Sequence, residues 1–253
     1  MRRRNLSKPQ KRLARELRAF CRAHNHAHAK KPKTVSKHSQ HNRFLCLDQA
    51  LVVDLHAAGR PIQKLTSLRE GDIAGWEEKS FIGKTLYETY QLEDRSVVRA
   101  TSRASASGLF LKLRIDLDKT PFLYWTWRVD GTLGDIDERT KAGDDYSARV
   151  YVIRSDPVFL WRTRAVNYVW ASARAVGETW PNAYTDRSQH VAVRSGDTQA
   201  GQWVAERRDV RADFRELFGE SVRYVDAIAI MTDTDNTGGT AVAYYGDITF
   251  SSE

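Results

Sequence analysis

Six polar residues stand where strand alternation sets them opposite aliphatic neighbours: Arg128, Arg149, Tyr151, Asn167, Glu206 and Arg208. Successive side chains of a strand point to opposite faces. If the strands that carry these six are neighbours, they line one concave face with donors and acceptors. Planar guanidinium and amide groups beside aromatic rings suit sugar hydroxyls, acidic sugars or carboxylates. Trp170 joins the set as a stacking platform and Asn182 as a polar loop residue, whereas Trp125 and Trp127 share parity with Leu123 and Val129 and read as core. The same residues would also serve a solvated outer face or a salt-bridge network between strands. Sequence alone leaves both readings standing.

A second constellation is acidic. Asp233-Thr234-Asp235-Asn236-Thr237-Gly238 resembles the opening of a calcium loop, with alternating oxygen ligands and a glycine at the sixth position. The twelfth position is Tyr244 rather than a bidentate Glu, and strands flank the loop, so an EF-hand is excluded. A sandwich-type calcium site built from Asp233, Asp235 and Asp247 stands against a tight turn whose Asp and Asn side chains bond their own backbone. Glycoside hydrolysis would need two carboxylates roughly 5–9.5 Å apart, and the candidates are Asp144, Asp145, Glu178, Glu206, Asp233 and Asp235. Adjacent Asp144 and Asp145 in a strand would point to opposite faces. A Ser-His-Asp triad has little support, because His190 is the one histidine after residue 60 and no Gly-x-Ser-x-Gly occurs. No phosphate-binding glycine pattern occurs either.

The elements that must position these groups read as strands. Leu109, Leu111, Leu113, Ile115 and Leu117 alternate with polar or aromatic residues, as do Leu123 to Val129, Ala148 to Val152 and Val166 to Trp170. Later runs cover 190–194, 202–208, 224–232 and 241–250, and clusters such as Asp130-Gly131 and Ser195-Gly196-Asp197 separate them. One helix interrupts: Val210, Phe214, Leu217 and Phe218 form a stripe over 210–218, and Gly219 stands at the C′ position. Eight to ten strands with one helix do not fit alternating β-α units. They predict an all-β fold, an antiparallel β-sandwich of jelly-roll type.

Composition places this sandwich within the chain. Its 253 residues carry 40 Lys+Arg and 32 Asp+Glu, a net +8. Residues 1–60 contribute 15 Lys+Arg against three acids, so the remainder is mildly acidic. Both cysteines and six of the seven histidines also fall before residue 60, and all seven tryptophans after residue 75. That shift predicts a basic, His-rich, largely disordered tail over 1–60 and a packed domain over 61–253. Within the tail, Ser7-Lys8-Pro9-Gln10 opens a short amphipathic helix. The histidines lack zinc-site spacing and Cys21 and Cys46 are assigned no redox or metal role. No nucleic acid is expected to bind the acidic domain. No apolar run of about 18 residues occurs, so no transmembrane helix is expected, and no signal peptide is visible.

One ordered series of motifs goes further. Gly75-Trp76, Ala100-Thr101-Ser102, Pro121-x-Leu123-x-Trp125-x-Trp127-Arg128-Val129 and Gly143-Asp144-Asp145-Tyr146-x-Ala148-Arg149 come first. Asn167-Tyr168-Val169-Trp170, Trp180-Pro181-Asn182, Ala229 to Thr237 and Tyr244-Tyr245-Gly246-Asp247-Ile248 follow. Over about residues 70–250 this order resembles the bacterial domain-of-unknown-function family 3047. The resemblance implies a jelly roll related in shape to carbohydrate-binding modules and an exported, periplasmic or secreted, protein. It carries no catalytic residues over. The resulting expectation is a non-catalytic binder of a glycan or another polar cell-envelope ligand, its hydroxyls fixed by Arg128, Arg149, Asn167 and Glu206. A glycan-processing enzyme with paired carboxylates and a purely structural domain are the alternatives.

Overall fold

The computed structural model describes residues 73, 75–92, 95–156 and 162–253, with the backbone alone at 62–64 and 95. The tail, its helix, the histidine tract, both cysteines, the boundary near residue 60 and Trp161 lie outside the described residues.

Two sheets face each other in a jelly-roll sandwich. The six-stranded sheet is ordered β11 (Val204–Asp209), β6 (Phe122–Val129), β13 (Thr240–Ser251), β4 (Arg95–Arg103) and β3 (Leu86–Leu92), with β1 (Ile62–Lys64) also on β13. The seven-stranded sheet is ordered β2 (Trp76–Ile82), β5 (Ala106–Asp116), β12 (Tyr224–Asp233), β7 (Ala148–Arg154), β8 (Arg164–Ala171), β10 (Thr185–Ser195) and β9 (Thr179–Asn182). Every run expected from alternation is a strand. The additional strands β2, β3 and β9 lie at sheet edges, and both faces of β2 and β3 stay largely wet, so alternation there is weak.

One pairing departs from the antiparallel expectation. The chain leaves β8, runs past β10 to form the edge strand β9, and turns back, so β10 runs parallel to β8. Nothing in the alternation of a single strand reports its direction relative to a neighbour.

The core is the expected aliphatic and aromatic set. Trp125 meets Trp127 edge-on at 5.4 Å and stacks on Tyr168 at 5.3 Å, and Trp127 meets Trp170 at 5.8 Å. These rings bridge the two sheets, and each buried side chain of this size contributes about 1.5–3 kcal/mol. Helix α1 (Val210–Phe218) closes one side of the sandwich: Asp209 caps it by accepting from the Ala212 N–H at 2.9 Å, and Gly219 ends it at φ +67°. Val210 and Phe214 are its buried face.

Candidate binding face

The outer face of the seven-stranded sheet is where the polar strand residues meet. Backbone partners align Phe110, Ala229, Tyr151, Asn167, His190 and Trp180 in a single row across six strands. The adjacent row is Gly108, Met231, Arg149, Val169 and Ala192. Directly paired residues of adjacent strands share a face, so the parity of Arg149, Tyr151 and Asn167 read from sequence places them together. Ala227, Ala229 and Ala165 make a low apolar floor, with Phe81 and Phe110 on one side and Tyr151 on the other.

Polar loops cover one end of this face. Arg149 is buried and pairs with the buried Asp233, and its guanidinium lies over the rings of Tyr146 (4.9 Å) and Tyr151 (5.4 Å). Asp145 accepts from the Thr237 N–H at 2.6 Å, from the Asn236 N–H at 3.1 Å and from Asn236 Nδ2 at 3.0 Å. These bonds strap the turn after β12 to the turn before β7. Gly143 makes the approach sterically feasible: a Cβ there would lie 2.4 Å from the Asp137 carbonyl oxygen. Beneath the strap, Asn167 Nδ2 lies 2.7 Å from His190 Nδ1, and His190 Nε2 lies 3.5 Å from Asp144 Oδ1. Asn182 Nδ2 donates to Asp144 Oδ2 at 2.8 Å. Tyr184 donates to Asn236 Oδ1 at 2.7 Å, and the Lys141 ammonium sits 5.2 Å from the centre of the Tyr184 ring.

Burial sets the protonation of this end. It lowers the pKa of His190, against the pull of Asp144, so the imidazole is neutral at pH 7. As oriented, Asn167 donates to Nδ1, leaving the proton on Nε2 toward Asp144. Burial raises Asp233, opposed by Arg149 and reinforced by Asp145, Asp144 and Asp235. Asp235, half-buried at the surface, is pushed up to about 6 by burial and then by the charge of Asp145.

The sequence-derived set therefore divides. Arg149, Tyr151, Asn167 and Asn182 come together on this face, and the other four do not join them. Glu206 and Arg208 pair with Trp125 and Leu123 across β11 and β6, so both point inward, contrary to the parity expected. Glu206 accepts from Trp127 Nε1 at 3.1 Å and from Arg194 Nε at 2.6 Å, while Arg208 and Tyr168 bind Asp213 of α1. At the open side of a sandwich, an inward strand position sits near solvent, and a paired long polar chain closes it where an aliphatic one would leave a gap. Trp170 is core rather than platform, its Nε1 donating to the Gly196 carbonyl at 3.0 Å. Arg128 points outward from the other sheet, over Tyr244. The expected convergence of Arg128, Arg149, Asn167 and Glu206 on one hollow does not occur.

The acidic constellation is corrected in the same way. Asp145, Asp233 and Asp235 each bring an oxygen within 4.8 Å of the others, and Asp247 belongs to β13 on the opposite sheet. Both Asp145 oxygens accept N–H groups, and Asp233 accepts from Arg149 and from the Tyr146 N–H at 3.4 Å. That donor set is spent on the protein's own turn and does not resemble the six to eight free oxygens calcium takes. Nor do these acids flank a cleft as hydrolysis would require. Asp144 and Asp145 precede β7 instead of lying in it, so both turn inward.

Three participants escape sequence reading. Tyr146 packs its ring 5.0 Å from His190. Trp180 lies 5.4 Å from the other side of that ring, though it was legible as an aromatic beside polar loops. Buried Glu138 accepts the N–H groups of Ser172, Ala173 and Arg174 at 2.7, 3.3 and 3.2 Å, fixing the loop that precedes β9. An isolated Glu in a loop carries no sequence signal for that role.

The family model described as "Protein of unknown function (DUF3047)" matches residues 74–249. Among curated proteins, none matches the chain. Among solved structures, the chain is similar to the family 11 carbohydrate-binding module of cellulosomal cellulase Lic26A-Cel5E of Clostridium thermocellum, with a TM-score of 0.45 and 9% identity over 76% of this chain and 95% of that one. A family 11 module from the same organism, in complex with a beta-1,3-1,4-mixed-linked tetrasaccharide, gives 0.43 and 11% over 76% and 96%. A lectin from Bauhinia forficata in complex with GalNAc gives 0.36 and 11% over 76% and 98%.

Proposed function

We propose, from the premise that the chain belongs to the DUF3047 family, that its sandwich is a non-catalytic binder of a glycan or another polar ligand of the cell envelope. The ligand lies on the outer face of the seven-stranded sheet. The observation that carries this reading is the row of Phe110, Ala229, Tyr151, Asn167, His190 and Trp180. It sets a half-exposed tyrosine above a floor of alanines, next to a polar end rich in amide and carboxylate groups. A pyranose ring has an apolar C–H face and a rim of hydroxyls, which match a ring such as Tyr151 and polar groups such as Asn182, Tyr184 and Asn236. The carboxylates of this face are held in the turn's own hydrogen bonds, which favours binding over acid-base chemistry.

The test is a broad glycan array followed by calorimetry on the full chain. Tyr151→Ala and Asn182→Ala are each expected to weaken a detected ligand by about ten-fold, roughly 1.4 kcal/mol, with little change in melting temperature. If no glycan binds, or if both variants keep full affinity, the reading is wrong. Arg149→Ala is a poorer probe, because it strands a buried Asp233.

A further inference from the structure

The polar end of the proposed binding face has more negative charge than the protein itself neutralises. Asp144, Asp145, Asp233 and Asp235 gather there from the turns before β7 and after β12. Arg149 is committed to Asp233, and neutral His190 adds no charge. Tyr184 adds only a phenol, and Lys141 is exposed. The end is also short of donors. Asn167 Oδ1 is fully buried and has no hydrogen-bond partner, an arrangement that native structures rarely leave unanswered. Of the four carboxylates, Asp235 is the one at the surface, with Asp145 and Asp233 behind it. The protein's own nearest exposed cation, Lys141, already rests on the Tyr184 ring, whose hydroxyl holds Asn236. An ammonium group is thus accommodated at this rim.

We propose that the ligand of this face is a glycan bearing free amino groups, a de-N-acetylated hexosamine polymer, with a sugar ammonium seated on Asp235 beside Tyr184 and Asn236. The proposal rests on the binding-face reading and specifies its ligand. It reverses the acidic-sugar option that the arginines raise in the sequence, because the one arginine on this face is already consumed. A uronate brought to Asp235 would meet like charge from Asp145, Asp233 and Asp144 at short range.

The experiment is titration calorimetry of the full chain with three probes of matched length: a β-1,4-linked glucosamine oligomer, its N-acetylated counterpart and a polyuronate. The free amine is expected to bind about ten-fold or more tightly than the N-acetylated oligomer, with no detectable uronate binding at this face. Asp235→Asn should erase the preference while leaving affinity for the N-acetylated oligomer within about two-fold. Tyr151→Ala should weaken both. Affinity for the amine should fall as pH drops through about 6, where Asp235 takes up a proton. His190 stays neutral over most of this range, and Arg149 and Lys141 stay charged. Equal binding of both hexosamine oligomers, or a preference that survives Asp235→Asn, overturns this inference and leaves the binding face standing. Calcium alone displacing the amine oligomer overturns it in favour of a metal. Failure of every oligomer removes the face reading itself.

Discussion

The two outer faces of the sandwich are built by the same alternation and end in different chemistry. On the six-stranded sheet, backbone partners align Arg128, Tyr244, Arg99 and Glu88 in a row. Arg128 lies 5.2 Å from the Tyr244 ring, Arg99 5.4 Å from Tyr90 and Arg207 3.8 Å from Phe122. These arginines remain partly wet, and Arg128 has only a loose pair with Asp130 at 3.4 Å. On the seven-stranded sheet, Arg149 also points outward, yet it is 4% exposed and locked to Asp233. Parity assigns a residue to a face; the loops that fold over that face decide whether it meets water. Here the turns before β7 and after β12 and the β9–β10 hairpin cover one sheet's end, and so an outward arginine there needs a buried counter-ion.

This contrast predicts unequal costs for matched changes. Asp233→Ala leaves the Arg149 guanidinium buried and uncompensated and is expected to cost about 3–5 kcal/mol in urea unfolding. On the opposite face, Arg128→Ala should cost under about 1 kcal/mol. Similar losses at the two sites would mean the faces are not differently covered. Next in size is Gly143→Ala, whose methyl meets the Asp137 backbone. It should lose about 1–3 kcal/mol by forcing the turn before β7 outward, and slackening of the Asp145 strap should appear as faster amide exchange at Asn236 and Thr237.

The smallest effect is the most specific. The folded protein raises Asp235 from its ordinary 3.8 to about 6, so folding favours its protonated form. Its ionisation therefore costs stability, a cost absent below the unfolded value and full above the folded one. Asp235→Asn should raise stability at pH 7.5 by up to about 1 kcal/mol once solvent screening of this half-exposed group is allowed for. The gain should fade as pH falls through about 6. Asp233, also raised, acts in the same direction in the parent. His190 is lowered, so its contribution is present at neutral pH and lost on acidification. Comparing the variant with the parent cancels both, and a gain that persists at low pH would contradict the assignment.

Much of this was legible before any coordinates. The runs around Leu109, Trp125, Val150, Tyr168 and Ile228 marked strands because one face of each had to be buried. Asp209 and Gly219 bounded the helix because a helix end must satisfy its own N–H and C=O groups. Parity was enough to group Arg149, Tyr151 and Asn167. It failed for Glu206 and Arg208, where inward positions near an open side hold paired polar chains, and a sequence cannot show which end of a strand lies there. Asp145 was among the candidate acids, but reading it as strand obscured its turn, which only Gly143 and the contact with Asp137 explain. Asp247 looked as good a partner for Asp233 as Asp145 because separation along the chain says nothing about which sheet a strand joins.

Local periodicity and end signals thus determined the strands, the single helix, the aromatic core and the sandwich class, since each depends on burying one face of one segment. Tertiary structure alone decided the parallel β8–β10 pair, the neighbours of each acid and the one face on which charge is left over. Those depend on which strands pair and which loops fold across them, and that is settled by contacts between residues as far apart in the chain as Asp145 and Thr237.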